Sequence, residues 1–294
     1  MAVAEAIRGA VFFTFSFMAA CAAPLSDQTL SSRAHVPVGG NLGAPEPRIT
    51  HGSVLSKPPS VANDKPLCPS GMAHVARQGE AFCIDRWEAF LELSAGGVNT
   101  PWPGNRAIDG DSRRFFALSA PGVKPQGYIS GRQAAQACLN SGKRLCSEHE
   151  WRTACRGPAN TRYPYGDARK PNRCNDRFKV LDRHPVVRLF DEVASRDTPR
   201  SEMWNLPWMN DPRLHQMPDS VAGSGEFPEC TNDYGVYDMV GNLHEWLLDE
   251  KGSFAGGFFM DTYQNGEGCE YRTRAHSFDY HDYSTGFRCC SDSG

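Results

Sequence analysis

The sequence predicts an α+β fold with little regular secondary structure, braced by disulfides. Three observations predict it. The 294 residues include 28 Gly and 21 Pro, a density of breakers that leaves room only for short periodic segments. The 11 Cys follow an N-terminus that reads as an export signal, and in an oxidising compartment such cysteines favour bridges. Short strand-like runs precede short capped helices, after which the chain turns irregular.

Taken in chain order, Arg8 gives a short positive region, and the apolar stretch from Ala10 to Ala20 carries Phe12, Phe13, Phe15 and Phe17. That stretch is too short to span a bilayer and fits a secretory signal over residues 1–20. It ends Met18-Ala19-Ala20-Cys21, which resembles a bacterial lipobox with Met18 in place of the usual Leu. The expected product is acylated at Cys21, and two or three acyl chains suffice for stable anchoring. The expected location is the cell envelope, outside the bacterial inner membrane: outer membrane, periplasmic or surface. The alternative is an ordinary signal peptide cleaved nearby.

Residues 21–66, with SSRAHVPVGGNLGAPEP and SKPPS, are poor in aromatics and read as a flexible tether. Residues 67–294 show no internal repeat and are expected to form one domain. CPSGMAHV and AFCIDRWEAF read as two short strands, with Cys68 and Cys83 placed to close the hairpin. Ser130-Gly-Arg-Gln133 and Ser147-Glu-His-Glu150 are capping boxes. The helices they open run to Gly142 and Gly157. Tyr163-Pro-Tyr165-Gly-Asp167 is a turn cluster, and Phe178 to Gly225 reads as long surface loops.

Composition narrows function. With 31 Lys+Arg against 34 Asp+Glu, the net charge is −3, which argues against a nucleic-acid partner. No apolar run reaches the roughly 18 residues of a spanning helix, so a polytopic membrane protein is excluded. No Gly-rich phosphate loop, GxSxG elbow or HExxH occurs.

FCIDRWEAF, SGRQAAQACLNSGKRLCSEHEWRTACRG, YPYGD, GVYDMVGNLHEWLLD, GSFAGGFFM and TGFRCC, in this order, resemble the formylglycine-generating enzyme family, the sulfatase-modifying-factor domain. The resemblance spans nearly all of Leu67 to Cys290. It implies a single domain related to C-type lectins, with α and β elements, little regular structure, bound calcium and disulfides. By the same resemblance Cys138 pairs with Cys289 and Cys155 with Cys269. Each bridge closes a loop of over a hundred residues, and chain entropy alone would make it worth roughly 4–5 kcal/mol. Cys146, Cys174, Cys230 and Cys290 remain for two further bridges, whose pairing the sequence leaves open.

The resemblance also implies structural calcium, held by Asp238, Gly241, Leu243 and Glu245, the middle two through main-chain carbonyls. Calcium takes six to eight hard oxygens, and a Gly-containing turn can aim carbonyls inward. A polar turn with Glu245 capping backbone amides is the alternative. A second implied set is Asn175, Asp176, Asp211 and Arg213, the second and fourth through carbonyls.

Oxidases of this family hold Cu(I) on two thiols after the Gly-Gly turn, since soft thiolates select that ion. Here the segment is GGFFMDTYQNGEGC. Asp261 stands where the resemblance places the first thiol. Nothing from Thr262 to Gly268 supplies the second, Cys269 is claimed by a bridge, and Phe258 replaces a small Ser. A carboxylate is a hard ligand and does not substitute for a thiolate. The scaffold is kept and the known oxidase site is absent, so no copper is expected.

His276, Asp279, His281 and Asp282 offer iron or zinc ligands, but their spacing fits no known motif and they read as a polar surface loop. The vicinal Cys289-Cys290 reads as one bridged Cys beside another that pairs elsewhere. Trp87, Trp151, Tyr237, Trp246 and Phe287 are expected in the core. Trp204, Trp208, Tyr263, Tyr280 and Tyr283 fall on expected loops, where aromatics line grooves. The expected function is a lipid-anchored, non-catalytic module that binds a peptide, protein or glycan in the groove relatives use for substrate. The alternative is a family oxidase, or another metal-dependent enzyme, with a rearranged site.

Overall fold

Alternating apolar residues in MAHVAR and the turn residues Gln78-Gly79 make the first hairpin. In the computed structural model, which describes residues 66–108, 110, 112–176 and 184–294, β1 (Met72–Arg77) pairs antiparallel with β2 (Glu80–Asp85). The Cys68–Cys83 disulfide ties its base. The stretch read as one strand through AFCIDRWEAF is two. It breaks at Arg86–Glu88 and resumes as β3 (Ala89–Ala95), which pairs with β4 (Val98–Pro101) and β5 (Phe115–Ser119). The break lets β2 and β3 serve different sheets.

Both capping boxes form. Ser130 opens α1 (Gly131–Asn140) and Ser147 opens α2 (Glu148–Arg156), each with the Ser side chain on an N3 amide and the N3 side chain on the cap amide. α1 stops at Asn140, two residues before the expected Gly142, and Gly157 at φ 65° ends α2. Between them lies the two-residue β6 (Arg144–Leu145).

The segment expected to be surface loops is largely exposed from 191 to 213 but sends several apolar residues into the core. Pro185 at the first helical position starts α3 (Pro185–Val193), and its apolar residues at 186, 189 and 190 lie on one buried face. A short α4 (Leu206–Met209) follows, flanked by 3₁₀ turns. Val186, Leu189 and Phe190 join Tyr128, Leu214, Phe258, Phe259, Met260 and Tyr283 in one apolar cluster.

The remaining strands are β7 (His244–Trp246), β8 (Phe254–Ala255), β9 (Arg272–Thr273), β10 (Thr285–Gly286) and β11 (Cys289–Asp292). The three sheets run β1-β2-β11-β6, β10-β7-β8-β9 and β4-β3-β5. Only β10 and β7 pair in parallel; every other pair of named strands is antiparallel. The elements are short, so cross-links do much of the fastening. Cys138–Cys289 and Cys155–Cys269 are bridged, and the open pairing resolves as Cys146–Cys290 and Cys174–Cys230. Cys289 and Cys290, adjacent on β11, thus pin α1 and the entry to α2 to the same strand.

The aromatic expectations divide. Trp151, Trp246 and Phe287 are buried. Trp87 and Tyr237 are half-buried and stack on each other at 5.8 Å instead of filling the core. Of the expected loop aromatics, Tyr283 is buried, Trp208 packs edge-on against Phe190, and Tyr280 stacks on His276. Trp204 and Tyr263 are exposed. No helix among the described residues is long and apolar enough to cross a membrane.

Candidate functional site

Asp261 is buried at the end of the Gly-Gly segment. Its Oδ1 accepts the main-chain N–H of Tyr263 and of Gln264, each at 3.0 Å, and its Oδ2 accepts the Tyr271 hydroxyl at 2.9 Å. The main chain folds back so that Phe258 and Asp261 bridge each other. Gly257 permits this. It sits at φ 73°, and a Cβ there would come within 2.2 Å of the Asp261 carbonyl oxygen. Around this turn, His244 lies against Phe254, Phe258 and Tyr271. Burial drives its pKa down to about 3, and its buried Nδ1 has no hydrogen-bond partner. Val186, Leu189 and Phe190 of α3 belong to the same apolar cluster as Phe258, Phe259 and Met260. All ten described cysteines are in disulfides.

The other expected site lies on the loop before β7. Glu245 is buried and accepts three short bonds, each 2.6 Å: Arg288 Nε and Nη2, and Trp151 Nε1. Arg288, fully buried at the end of the chain, also donates to the carbonyls of Asp85 and Tyr237. Asp238 takes a left-handed φ of 56° and accepts the Gly225 amide on Oδ2 at 2.6 Å. Burial raises its pKa to about 7. Glu88 was not legible as a site residue. It is buried, accepts from Asn242 Nδ2 at 2.5 Å and from the Leu243 amide at 3.1 Å, and fixes the loop's shape. Burial, then the neighbouring Asp238 and Glu245 charges, push its pKa well up. Three buried carboxylates therefore feel the charge of one guanidinium, which bonds Glu245 alone among them.

This donor set suits a hard divalent cation in part. Among the described residues, Asp238 Oδ1 and the carbonyls of Gly241 and Leu243 receive no hydrogen bond from a side chain or loop amide. Glu245 is shared with Arg288 and Trp151. No three His, Cys, Asp or Glu side chains converge as a metal group among the described residues, so main-chain carbonyls would have to supply much of the shell.

The second expected set falls on two segments of the chain, 175–176 and 211–213. Asn175 accepts the Asn242 amide on its carbonyl and donates its side-chain amide to Asn242 Oδ1, so it sits against the Gly241–Asn242 turn. Asp176 Oδ2 pairs with Arg169 at 2.6 Å, while its buried Oδ1 is unpartnered. Asp211 pairs instead with Arg213 through both oxygens. No hydrogen bond or ion pair joins the two halves among the described residues.

The HSFDYHDY segment is less superficial than expected. Asp282 is buried, holding Ser284 with Oδ1 and Tyr280 with Oδ2. Asp279 is exposed and pairs with Arg132, and His281 bonds Asn210. Cys21 lies outside the described residues.

The model of the sulfatase-modifying factor enzyme 1-like domain matches residues 105–292. The chain belongs to this family. Its sulfatase-modifying-factor domain is 26% identical over 181 residues to the inactive C-alpha-formylglycine-generating enzyme 2 of Bos taurus, covering 58% of this chain and 51% of that protein. It is also 26% identical over 123 residues to the formylglycine-generating enzyme of Mus musculus, covering 42% of this chain and 26% of that one. The chain spans about half the length of the inactive relative, and about a quarter of the latter. Among solved structures, PvdO from Pseudomonas aeruginosa aligns with a TM-score of 0.39 and 15% identity, over 75% of this chain and 90% of that chain.

Proposed function

We propose that this sulfatase-modifying-factor domain is a non-catalytic binding module, anchored to the cell envelope through a lipid on Cys21 and steadied by structural calcium. One observation carries the reading. The turn expected to present a thiol presents Asp261, and that carboxylate is spent on two amides and the Tyr271 hydroxyl. The described cysteines are all bridged, so no soft ligand pair is left for Cu(I). Similarity to relatives named inactive agrees with it.

The ligand is a peptide, protein or glycan. Among the described residues, the exposed aromatics available to meet it are Trp204 and Tyr263. Calcium would sit at Asp238, Gly241, Leu243 and Glu245, supplying positive charge to a buried cluster with more carboxylates than cations. Asn175, Asp176, Asp211 and Arg213 would form a second site, the second and fourth through their carbonyls.

The test is an oxygen-uptake assay with Cu(I) and a Cys-containing peptide. The expected result is no turnover above the peptide alone. Sustained uptake with formylglycine formed in the peptide would establish the oxidase instead.

A further inference from the structure

A second surface feature owes nothing to the Asp261 turn. The tip of the β1–β2 hairpin and the exposed side of α2 enclose a cleft of about 220 Å³, lined by Arg77, Gln78, His149, Arg152, Thr153 and Arg156 among others. Gln78 holds a left-handed φ of 52° at the hairpin tip.

The charges there do not balance. Arg156 pairs with Glu270 at 2.9 Å, and Arg152 reaches the same carboxylate at 3.5 Å. Glu80, the acid lining the cleft, is already held by His149 at 2.8 Å. Arg77 donates one hydrogen bond, to the Gly157 carbonyl at 3.3 Å, and has no carboxylate partner among the described residues. A guanidinium carries five N–H donors, so Arg77 keeps several. Arg156 Nε is buried without a partner. Of the three guanidinium groups, two thus share one acid, Glu270, and the third pairs with none among the described residues. Forked donors of this kind match the paired oxygens of a carboxylate, sulfate or phosphate. The volume is below the roughly 300–1,000 Å³ of sites that enclose a drug-sized molecule, so it suits one charged end group.

We propose that this cleft is an oxyanion-binding site for the carboxylate, sulfate or phosphate end group of an anionic ligand, with Arg77 and Arg152 as its principal donors. The test is amide and arginine Nε–H NMR of the full chain, titrated at fixed ionic strength with sodium sulfate, sodium phosphate or sodium glucuronate. A saturable response confined to residues 77–80 and 148–156 is expected for at least one of them, and the best of the three identifies the end group. Arg77→Gln and Arg152→Gln should each weaken it about tenfold, the loss of one charge-assisted contact, with unchanged spectra elsewhere. Linear, scattered shifts in all three titrations would overturn the proposal, as would wild-type affinity in both variants.

Discussion

The Tyr271 hydroxyl donates to Asp261 Oδ2 at 2.9 Å, closing from one side a turn that Asp261 Oδ1 closes from the other. The residue in the expected thiol position therefore works as a structural clamp. Asp261→Ala should destabilise the domain by about 2–3 kcal/mol, because it strands a buried hydroxyl and two amides. Asp261→Asn, which keeps an acceptor for the amides, should cost less. Asp261→Cys should create no copper site, since no second thiol is within the segment. Denaturant unfolding with intact disulfides ranks the three, and a neutral Asp261→Ala would contradict the clamp.

Arg288 is the only buried cation hydrogen-bonded to Glu245 among the described residues, and it lies beside Asp238 and Glu88. Arg288→Met should cost about 3–5 kcal/mol by leaving buried carboxylates uncompensated. Pairing it with Glu245→Leu should recover part of that loss. A double-mutant cycle reads the coupling; strict additivity would show that the pair contributes nothing.

Local chemistry was the legible part of this fold. Ser130 and Gln133, or Ser147 and Glu150, satisfy each other's neighbours within one turn, so the helix starts are written in four residues. Cys68 and Cys83 flank a single hairpin. The other bridges join residues far apart in sequence and came only through family resemblance or, for Cys146–Cys290 and Cys174–Cys230, only from the structure. α3 carries a local signal of its own: Pro185 followed by apolar residues at 186, 189 and 190 is a helix start with one apolar face. Glu88 and Arg288 gave no such signal. Their partners lie more than 40 residues away in sequence, at 242, 243 and 245, and a charged residue is ordinarily read as surface.

His184 caps α3 through Nδ1, which accepts the Val186 amide at 3.2 Å, while Nε2 meets the Tyr283 hydroxyl at 2.8 Å. Burial lowers its pKa from 6.5 to about 4. Between these values the unfolded chain binds a proton that the folded chain does not, so stability falls as pH drops from 6.5 toward 4. The expected slope from this residue is about 1 kcal/mol per pH unit. His184→Asn, which retains a capping acceptor, should flatten it. An unchanged slope in the variant would remove His184 from the account.

Calcium removal should lower the melting temperature, because an ion bound only by the folded state stabilises it by mass action. Adding calcium back after chelation should restore the melt, while magnesium, which demands a tighter octahedral shell, should restore it less. Asp238→Ala should abolish the response. A melt indifferent to chelator would count against the Asp238–Glu245 site.

Alkylation of the folded, unreduced full chain, followed by digestion and mass spectrometry, tests the absence of a thiol centre most directly. The expected result is that the cysteines from Cys68 to Cys290 are recovered unlabelled, in five linked pairs: 68–83, 138–289, 146–290, 155–269 and 174–230. Stoichiometric labelling of two of those ten cysteines in the native protein, together with Cu(I) binding that the label abolishes, would contradict it.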